Sequence, residues 1–278
     1  MEQPIKDRVI VITGAAGGFG RLIGQKCAAL GGRIVTADID EEGLVETVRL
    51  IREAGGDAIF QKTDVSDLSQ MQQLAKKAIE EFGAVDVLVN NAGIMPLAFY
   101  SDHAEAINAW NRCIDINVKG VLHGITAVYD QMMIQGRGHV VNLSSIYSNF
   151  PVEGAAVYGA TKAAVNFLSE ALRVETQGKI KVTTVKPTGV SDTGITASVF
   201  NRDAGIGIVG HHSEFVQVRR EAILAEQAQP DILDKKNIAY FKLDPDSLTD
   251  QVVYAINQPW GVSIAEITVR ASGEGYIL

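Results

Sequence analysis

The sequence is poor in cysteine, in basic residues and in long apolar runs, and each shortage excludes a class of protein. Its two cysteines, Cys27 and Cys113, are too few for a disulfide framework, and we expect both to be buried free thiols. With 25 Lys and Arg against 33 Asp and Glu, the net charge of -8 argues against a nucleic-acid partner. No apolar run reaches the length of a bilayer span, and the first residues show no export signal. We therefore expect a cytoplasmic protein that contacts neither nucleic acid nor membrane.

Short apolar runs alternate with amphipathic helical patterns along most of the chain. Strands are predicted over residues 9–13, 33–37, 58–62, 85–89, 139–143, 181–185 and 266–269. This alternation is typical of a parallel sheet with right-handed crossovers and helices on both faces. We predict an α/β fold with a Rossmann-type, doubly wound parallel sheet of about seven strands. Residues 1–278 are expected to form a single domain.

Residues 188–246 interrupt this regularity, because their periodicity is weak and glycines and charges of both signs are scattered through them. A long segment of this kind is usually a functional insertion. We predict a substrate lid here rather than a second domain. Arg202, Arg219 and Arg220 lie within it and could pair with a substrate carboxylate, although solvated surface side chains are the simpler interpretation.

A glycine-rich turn, Gly14-Ala15-Ala16-Gly17-Gly18-Phe19-Gly20, joins the first predicted strand to the first helix. At this position glycines let the backbone approach a dinucleotide pyrophosphate, and the helix N-terminus offers it a favourable dipole. The spacing, Gly14-xxx-Gly18-x-Gly20, differs from the common G-x-G-x-x-G fingerprint. A turn that binds no ligand is the alternative, but the flanking strand and helix favour a dinucleotide site.

Asp38 ends the second predicted strand, twenty residues after Gly18. A carboxylate there can accept hydrogen bonds from the adenosine ribose hydroxyls and would repel a 2′-phosphate. Ile39 and Gly17 supply no positive charge for such a phosphate. The sequence therefore predicts NAD as the cofactor, with NADP as the less favoured alternative. The non-functional interpretation of Asp38 is a solvated strand end or a helix cap.

Tyr158 and Lys162 stand four residues apart in a predicted helix, so that both side chains lie on one face. A nearby ammonium favours the phenolate and lowers the pKa of a tyrosine, which is normally about 10. On its own such a pair is more often an accident of a helix surface. Its meaning depends on the other motifs in the chain.

Taken together, five motifs resemble those of the short-chain dehydrogenase/reductase family over residues 7 to about 190. They are Thr13-Gly14-xxx-Gly18-x-Gly20, Asn90-Asn91-Ala92-Gly93, Asn117 within Asp115-Ile116-Asn117-Val118, Ser145 within Asn142-Leu143-Ser144-Ser145, and Tyr158-xxx-Lys162. The resemblance implies a catalytic tetrad of Asn117, Ser145, Tyr158 and Lys162, without a metal ion. The implied cofactor contacts are Gly14, Gly18, Phe19, Gly20, Asp38, Asp64, Val65, Asn91, Ala92, Gly93, Tyr158, Lys162, Pro187, Val190 and Thr193. The family's usual Pro-Gly reads Pro187-Thr188-Gly189 here, which shifts the register of Val190 and Thr193.

The resemblance implies an NAD(H)-dependent oxidoreductase that interconverts a secondary alcohol and a ketone, with Tyr158 as general acid/base. Apolar residues at the strand ends and in the lid predict a small-molecule substrate that is mostly apolar. Relatives of this size are usually homotetramers or homodimers, which would associate through residues 103–135 and 157–177. The alternative function is a catalytically idle dinucleotide-binding module that senses redox state or scaffolds a partner.

Overall fold

The computed structural model of the protein describes residues 4–190, 194–227 and 229–277. The strands in these ranges are β1 Val9–Thr13, β2 Arg33–Asp38, β3 Asp57–Lys62, β4 Val87–Asn90, β5 Gly138–Leu143, β6 Ile180–Pro187 and β7 Glu266–Val269. They form one sheet in the order β3-β2-β1-β4-β5-β6-β7, and all neighbouring strands are parallel. This order and direction confirm the predicted doubly wound sheet of the Rossmann type.

The helices of the described chain follow the predicted alternation with the strands. They are α1 Gly18–Ala29, α2 Glu41–Glu53, α3 Leu68–Phe82, α4 His103–Ile114, α5 Gly120–Gln135, α6 Ala156–Glu175, α7 Ser213–Leu224, α8 Pro230–Leu233 and α9 Pro245–Ile256. Asp40 begins α2 by accepting a hydrogen bond from the Gly43 N–H at 3.1 Å, and Asp67 caps α3 in the same way. Over residues 4–190, 194–227 and 229–277, no helix combines the length and apolar character of a membrane span.

Helices cover both faces of the sheet, because successive side chains of a buried strand point to opposite faces. In β1, which is buried along its whole length, Ile10 and Ile12 belong to the core formed with α1 and α2. Val9 and Val11 belong to the opposite core, formed with α3 and α5. Cys27 lies in the first of these cores, where burial raises the pKa of its thiol to about 12. Both cysteines are buried free thiols, as predicted.

A crevice is expected at the carboxyl ends of β1 and β4. From β1 the chain proceeds to β2 and β3 on one side, and β4 lies on the other side of β1. The connections after these two strands therefore diverge, which leaves space at a topological switch point. Residues 14–20 follow β1 and residues 91–93 follow β4, so the two motifs meet at this point.

Residues 188–246 contain more helix than their weak periodicity indicates. Val216 is the one buried residue of α7, so this helix has no apolar stripe that a sequence pattern could detect. The segment after β7 lies against the same region, since the Ile277 N–H donates to the Ile208 carbonyl at 3.3 Å. The division into a single domain and the role of a lid stay predictions.

Candidate active site

Two spaces adjoin at the carboxyl edge of the sheet. The first, here called the groove, has a volume of about 890 Å³ and is lined by residues 14–19 (except Ala15) and by the residues that follow β2, β3 and β4. The second, here called the cavity, has a volume of about 710 Å³ and is lined by Ser145, Tyr158 and Lys162 among others. Phe19 and Gly93 line both spaces, so the groove and the cavity meet at these residues.

The glycine-rich turn forms one wall of the groove. Gly14 and Gly18 have φ angles of 66° and 49°, a region that side chains disfavour. A Cβ atom at Gly14 would lie 2.8 Å from the Cα of Ala92, so the turn and the β4 segment approach too closely for any other residue. Helix α1 begins here with no side-chain cap and no acidic residue in its first turn. Its free N–H groups therefore fit the pyrophosphate of a dinucleotide.

Asn91 fixes the turn from the neighbouring strand. Its amide nitrogen donates to the carbonyl oxygens of Thr13 and Gly14, both at 2.9 Å. In return, the backbone N–H groups of Asn91 and Ala92 donate to the Thr13 hydroxyl at 3.1 and 3.2 Å. Asn91 and Ala92, both predicted cofactor contacts, therefore line the groove and also hold the turn in shape.

Arg21 holds the turn from its other side, although no sequence motif marks it. Its Nε donates to the Thr47 hydroxyl at 2.9 Å, and its guanidinium also donates to the Ala16 carbonyl. Thr47 in turn donates to the Ala15 carbonyl at 2.8 Å. No motif marks these residues, because the contacts depend on how α1 and α2 lie side by side.

Two carboxylates, those of Asp38 and Asp64, line the groove after β2 and β3. Asp38 accepts hydrogen bonds from the N–H groups of Ala16 and Asp40, each at 3.1 Å. Asp64 accepts from the Ser66 N–H at 2.9 Å and from the Ser66 hydroxyl at 2.7 Å. These bonds fix both carboxylates along the groove, which Val65 also lines.

Helix α6 brings Tyr158 and Ser145 together at the boundary of the cavity. The Tyr158 side chain is almost completely buried, and burial raises the pKa of its phenol above the usual value of 10.0. A hydrogen bond with the Ser145 hydroxyl acts in the opposite direction and lowers that pKa. Ser144, the adjacent serine, donates instead to the Lys162 carbonyl at 3.0 Å, so it is Ser145 that contacts the phenol.

Lys162 lies one helical turn after Tyr158 and is equally buried. Its ammonium donates to the Leu143 carbonyl at 2.8 Å and lies 5.8 Å from the centroid of the Tyr158 ring. Burial lowers the pKa of Lys162 from 10.5 to about 8, and an electrostatic interaction with Cys113 opposes this shift. The predicted Tyr158–Lys162 pair is therefore a buried pair at a cavity and not an exposed helix surface.

Asn117 lies in a π-helical turn, Asp115–Lys119, between α4 and α5. Such turns are frequent at functional sites. Its side chain is fully buried and exchanges two hydrogen bonds with the Ile94 backbone, at 2.9 and 3.0 Å. A Cβ atom at Gly93 would lie 3.2 Å from Asn117 Oδ1 and 3.4 Å from Lys162 Nζ, so Gly93 allows these groups to lie close together.

The remaining predicted contacts fall in different places. Pro187 and Val190 line the cavity at the end of β6, and an isolated bridge joins Val190 to Leu243. Thr193 lies outside the described residues. Within the part of the chain that the structure describes, no three His, Cys, Asp or Glu side chains form a metal-binding group.

The residues after β7 form a wall of the cavity for which the motifs gave no signal. Glu274, Gly275 and Tyr276 line it. Tyr276 packs so closely on Gly189 that a Cβ atom there would overlap its phenol. A hydrogen bond between the His212 ring and the Gly275 carbonyl, at 3.1 Å, attaches this wall to the segment before α7. A short, non-periodic segment can be placed here only once the tertiary contacts are known.

Comparisons with known proteins agree with this architecture. Residues 8–204 match the family model described as short chain dehydrogenase. An uncharacterized oxidoreductase of Listeria monocytogenes is 34% identical over 273 residues, which cover 97% of this chain and 98% of the relative. A 2,5-dichloro-2,5-cyclohexadiene-1,4-diol dehydrogenase of Sphingobium indicum is 36% identical over 200 residues, which cover 72% of this chain and 79% of the relative.

Solved structures with both forms of the cofactor are similar to this chain. A short chain dehydrogenase/reductase from Burkholderia phymatum in complex with NAD has a TM-score of 0.75 at 30% identity, covering 96% of this chain and 90% of that one. A metagenomic short-chain oxidoreductase in complex with NADP has a TM-score of 0.73 at 26% identity, with coverage of 96% and 98%. Similarity alone therefore does not choose between the two dinucleotides.

Proposed function

This chain belongs to the short chain dehydrogenase family and is an oxidoreductase, and we propose that it interconverts a secondary alcohol and a ketone with NAD(H). The observation that carries the proposal is the position of Tyr158. Its phenol lines the cavity, is hydrogen-bonded to Ser145 and lies near the Lys162 ammonium. Lys162 in turn lies next to Gly93, where the groove meets the cavity. A substrate in the cavity would there adjoin a dinucleotide in the groove.

We assign the proton transfer to Tyr158. The bound dinucleotide supplies the hydride acceptor for oxidation or the hydride donor for reduction. In reduction, the Tyr158 hydroxyl gives its proton to the carbonyl oxygen of the substrate; in oxidation, the phenolate takes a proton from the alcohol. Ser145 donates a hydrogen bond to the same oxygen, on which negative charge develops. The Lys162 ammonium, 5.8 Å from the centroid of the Tyr158 ring, would stabilise the phenolate and so oppose the effect of burial on the Tyr158 pKa.

Asn117 is a positioning residue in this proposal. Its side chain is fully occupied by the Ile94 backbone, Cys113 and Thr161. It therefore fixes the π-helical turn beside Lys162. A water molecule held near this turn would connect Lys162 to solvent and replenish the proton.

The NAD preference is supported by the charge at the ribose end of the groove. The Asp38 carboxylate is fixed there by two N–H groups, and a 2′-phosphate beside it would meet like charge. Ile39, the next residue, offers an exposed apolar side chain instead of a cation.

Exposed apolar side chains support the proposed homodimer or homotetramer. Phe167 and Val174 on α6 are 79% and 68% exposed, and Ile134 at the end of α5 is 83% exposed. Large apolar side chains that are exposed to this degree often belong to an interface. All three residues lie within the ranges predicted for association, 103–135 and 157–177.

A substrate panel tests the proposed function against the idle-module alternative. The purified protein is mixed with NAD and secondary alcohols, or with NADH and ketones, and the absorbance of NADH is followed; NADP and NADPH are run in parallel. We expect turnover of at least one substrate pair, with a higher kcat/KM for NAD(H). Binding of NADH without turnover of any panel member would favour the idle module.

A further inference from the structure

The cavity carries an excess of positive charge although the whole chain has a net charge of -8. Besides Lys162, three cationic side chains line it, which are Arg202, Arg220 and Lys242. Glu274 is the one carboxylate among the described lining residues. It is already paired with Arg270 at 2.6 Å and accepts a hydrogen bond from Thr188 at 2.8 Å. The charges of the cavity therefore favour an anionic ligand.

Of these cations, Arg220 is the one that α7 directs at the cavity. Val216, the buried residue of α7, precedes it by four positions and lines the same space, so both lie on the same face of the helix. The neighbouring Arg219 belongs to a different face, where its guanidinium stacks on the Phe215 ring with 3.7 Å to the centroid. The helix thus separates a packing arginine from an arginine that faces the ligand space.

Two tyrosines, Tyr276 and Tyr147, interact with Arg220, and the second of them also contacts Tyr158. Arg220 forms a hydrogen bond with Tyr276 and interacts electrostatically with Tyr147. The Tyr147 ring lies edge to face against the ring of Tyr158, with 5.5 Å between the centroids. No carboxylate in residues 4–190, 194–227 or 229–277 forms an ion pair with Arg220. The partners that Arg220 has among these residues, Tyr147 and Tyr276, are neutral phenols.

We infer that the substrate is a hydroxy or keto acid whose carboxylate binds Arg220 while its reacting carbon faces Tyr158. This inference rests on the proposed function and adds a substrate class to it. The guanidinium can bind a carboxylate through two parallel hydrogen bonds, which would also orient the molecule. The body of the substrate would contact apolar side chains of the cavity, including Ile208, Val216 and Phe241. A volume of about 710 Å³ suits a small molecule of this kind.

Binding of an unreactive pair of ligands tests the inference without requiring turnover. Cyclohexanecarboxylate and cyclohexanecarboxamide have the same shape but differ in charge, and their Kd values for the protein–NADH complex are measured by calorimetry. We expect the carboxylate to bind about tenfold more tightly, the lower end for a charge-assisted bond because Arg220 is exposed. Arg220→Met should abolish this preference, whereas Arg220→Lys should retain part of it.

Two further variants separate the charge of Arg220 from other effects. Lys236→Met removes an exposed cation of the same region that does not line the cavity, and it should keep the preference. Tyr276→Phe removes the hydroxyl group that is hydrogen-bonded to Arg220 and keeps the ring. It therefore tests whether the wall formed by residues 274–276 causes the preference for the carboxylate. The Kd of NADH should stay unchanged in all variants, which shows that the groove is intact.

Turnover of 4-oxocyclohexanecarboxylate and its carboxamide distinguishes failure of the inference from failure of the proposed function. If the inference is right, Arg220→Met raises KM for the carboxylate about tenfold and leaves kcat/KM for the carboxamide unchanged. Equal binding of the two unreactive ligands to the wild-type protein, or an undiminished preference in Arg220→Met, overturns it. Absence of hydride transfer for every ketone would contradict the proposed function, whatever the ligand preference.

Discussion

The groove and the cavity lie side by side but are built from different kinds of chain segment. Much of the groove is lined by short segments that directly follow a strand of the sheet, such as residues 14–19 (except Ala15) after β1. Residues within 112–116 and 194–198 complete its lining. The cavity also has strand-end walls, such as residues 144–147 after β5 and residues 188–190 after β6. It adds walls from α6, from α7 and from residues 274–276, which are far apart in sequence. The strand-end segments are fixed by the sheet, whereas the wall formed by residues 274–276 is attached by isolated long-range bonds such as that between His212 and Gly275.

This difference suggests how proteins of one fold can keep the same cofactor site while their substrates differ. Strand ends in a buried parallel sheet cannot move without disturbing the core, so the groove is constrained by the fold itself. Segments joined by a few contacts can change in sequence at little cost to the sheet. Tyr158, Lys162 and Ser145 line the cavity, and Lys162 lies next to Gly93, where the cavity meets the groove.

The largest effect on turnover is expected from a substitution of Tyr158. Tyr158→Phe removes the proton that reduction requires, so turnover should fall by about 10²- to 10⁴-fold, the range of general acid–base catalysis. The Kd of NADH, measured by fluorescence, should stay within a few-fold, because the groove is untouched. Tyr147→Phe is the matched control. It removes the hydroxyl group of the neighbouring tyrosine and keeps the ring that lies against Tyr158. Near-normal turnover in Tyr158→Phe would remove Tyr158 as the acid/base.

A change inside the groove should remove cofactor binding. Gly14→Ala adds a Cβ atom 2.8 Å from the Ala92 Cα at a positive φ, and it should weaken NADH binding by about 100-fold or more, as expected for a loss of roughly 3 kcal/mol. Gly55→Ala has the same kind of φ with nothing within 4 Å of the added atom. It should cost about 1 kcal/mol of unfolding free energy and leave the Kd of NADH unchanged. Equal NADH affinities in both variants would show that the close approach at Gly14 does not matter.

The rate of ketone reduction should also depend on pH. Burial lowers the pKa of Lys162 from 10.5 to about 8, so its charge is present below that pH and is lost above it. Tyr158 stays protonated in this range because burial raises its pKa. For ketone reduction we expect kcat/KM to be level below the Lys162 pKa and to fall about tenfold per pH unit above it. Lys162→Met should be slow without that break, and a wild-type profile that is unbroken through this range would contradict the role of Lys162.

Removing one charge from the groove should have a smaller effect. Asp38→Ser is expected to narrow the preference for NADH over NADPH by about tenfold, the order of a single charge–charge contact at a partly exposed site. Asp40→Asn removes a charge nearby and keeps the cap of α2. The ratio of the two Kd values should move less in this control. An unchanged ratio in Asp38→Ser would place the discrimination elsewhere.

The smallest effect on KM is expected from a substitution in the cavity wall formed by residues 274–276. Glu274→Gln weakens the bonds to Thr188 and Arg270, so KM for the substrate should rise a few-fold and the unfolding free energy should fall by about 1 kcal/mol. Glu266→Gln removes an ion pair with Lys186 that lies outside the cavity, and KM should not change. An equal rise of KM in Glu274→Gln and Glu266→Gln would mean that loss of any ion pair in this region has this effect. The wall would then have no role of its own in substrate binding.

The contrast between the two spaces also explains how far the sequence could be interpreted. The apolar run of β1 is buried at every position, so its pattern directly predicts a central strand. The glycine turn, Asp38 and Asn91 follow such strands, and their position along the chain places them at the groove. Fold class and groove residues could therefore be located before the structure was known, although the roles of the residues stay predictions.

The cavity could not be predicted in the same way. Helix α7 buries only Val216, so it has no periodic pattern, and Tyr276 belongs to a short segment without secondary structure. Whether Arg220 is a solvated side chain or faces a ligand depends on the rotation of α7, which its sequence does not fix. Arg21 shows the same limit in the groove, because its contacts depend on the packing of two helices.

The most direct test of the account is the transfer of deuterium from C4-deuterated NADH to a ketone by the wild-type protein. Each ketone of the panel is incubated with the protein and either C4 stereoisomer of the labelled cofactor, and the product is analysed by mass spectrometry. We expect an alcohol that carries one deuterium at the carbinol carbon, from one of the two stereoisomers. Saturable NADH binding with no deuterium in any product would contradict it.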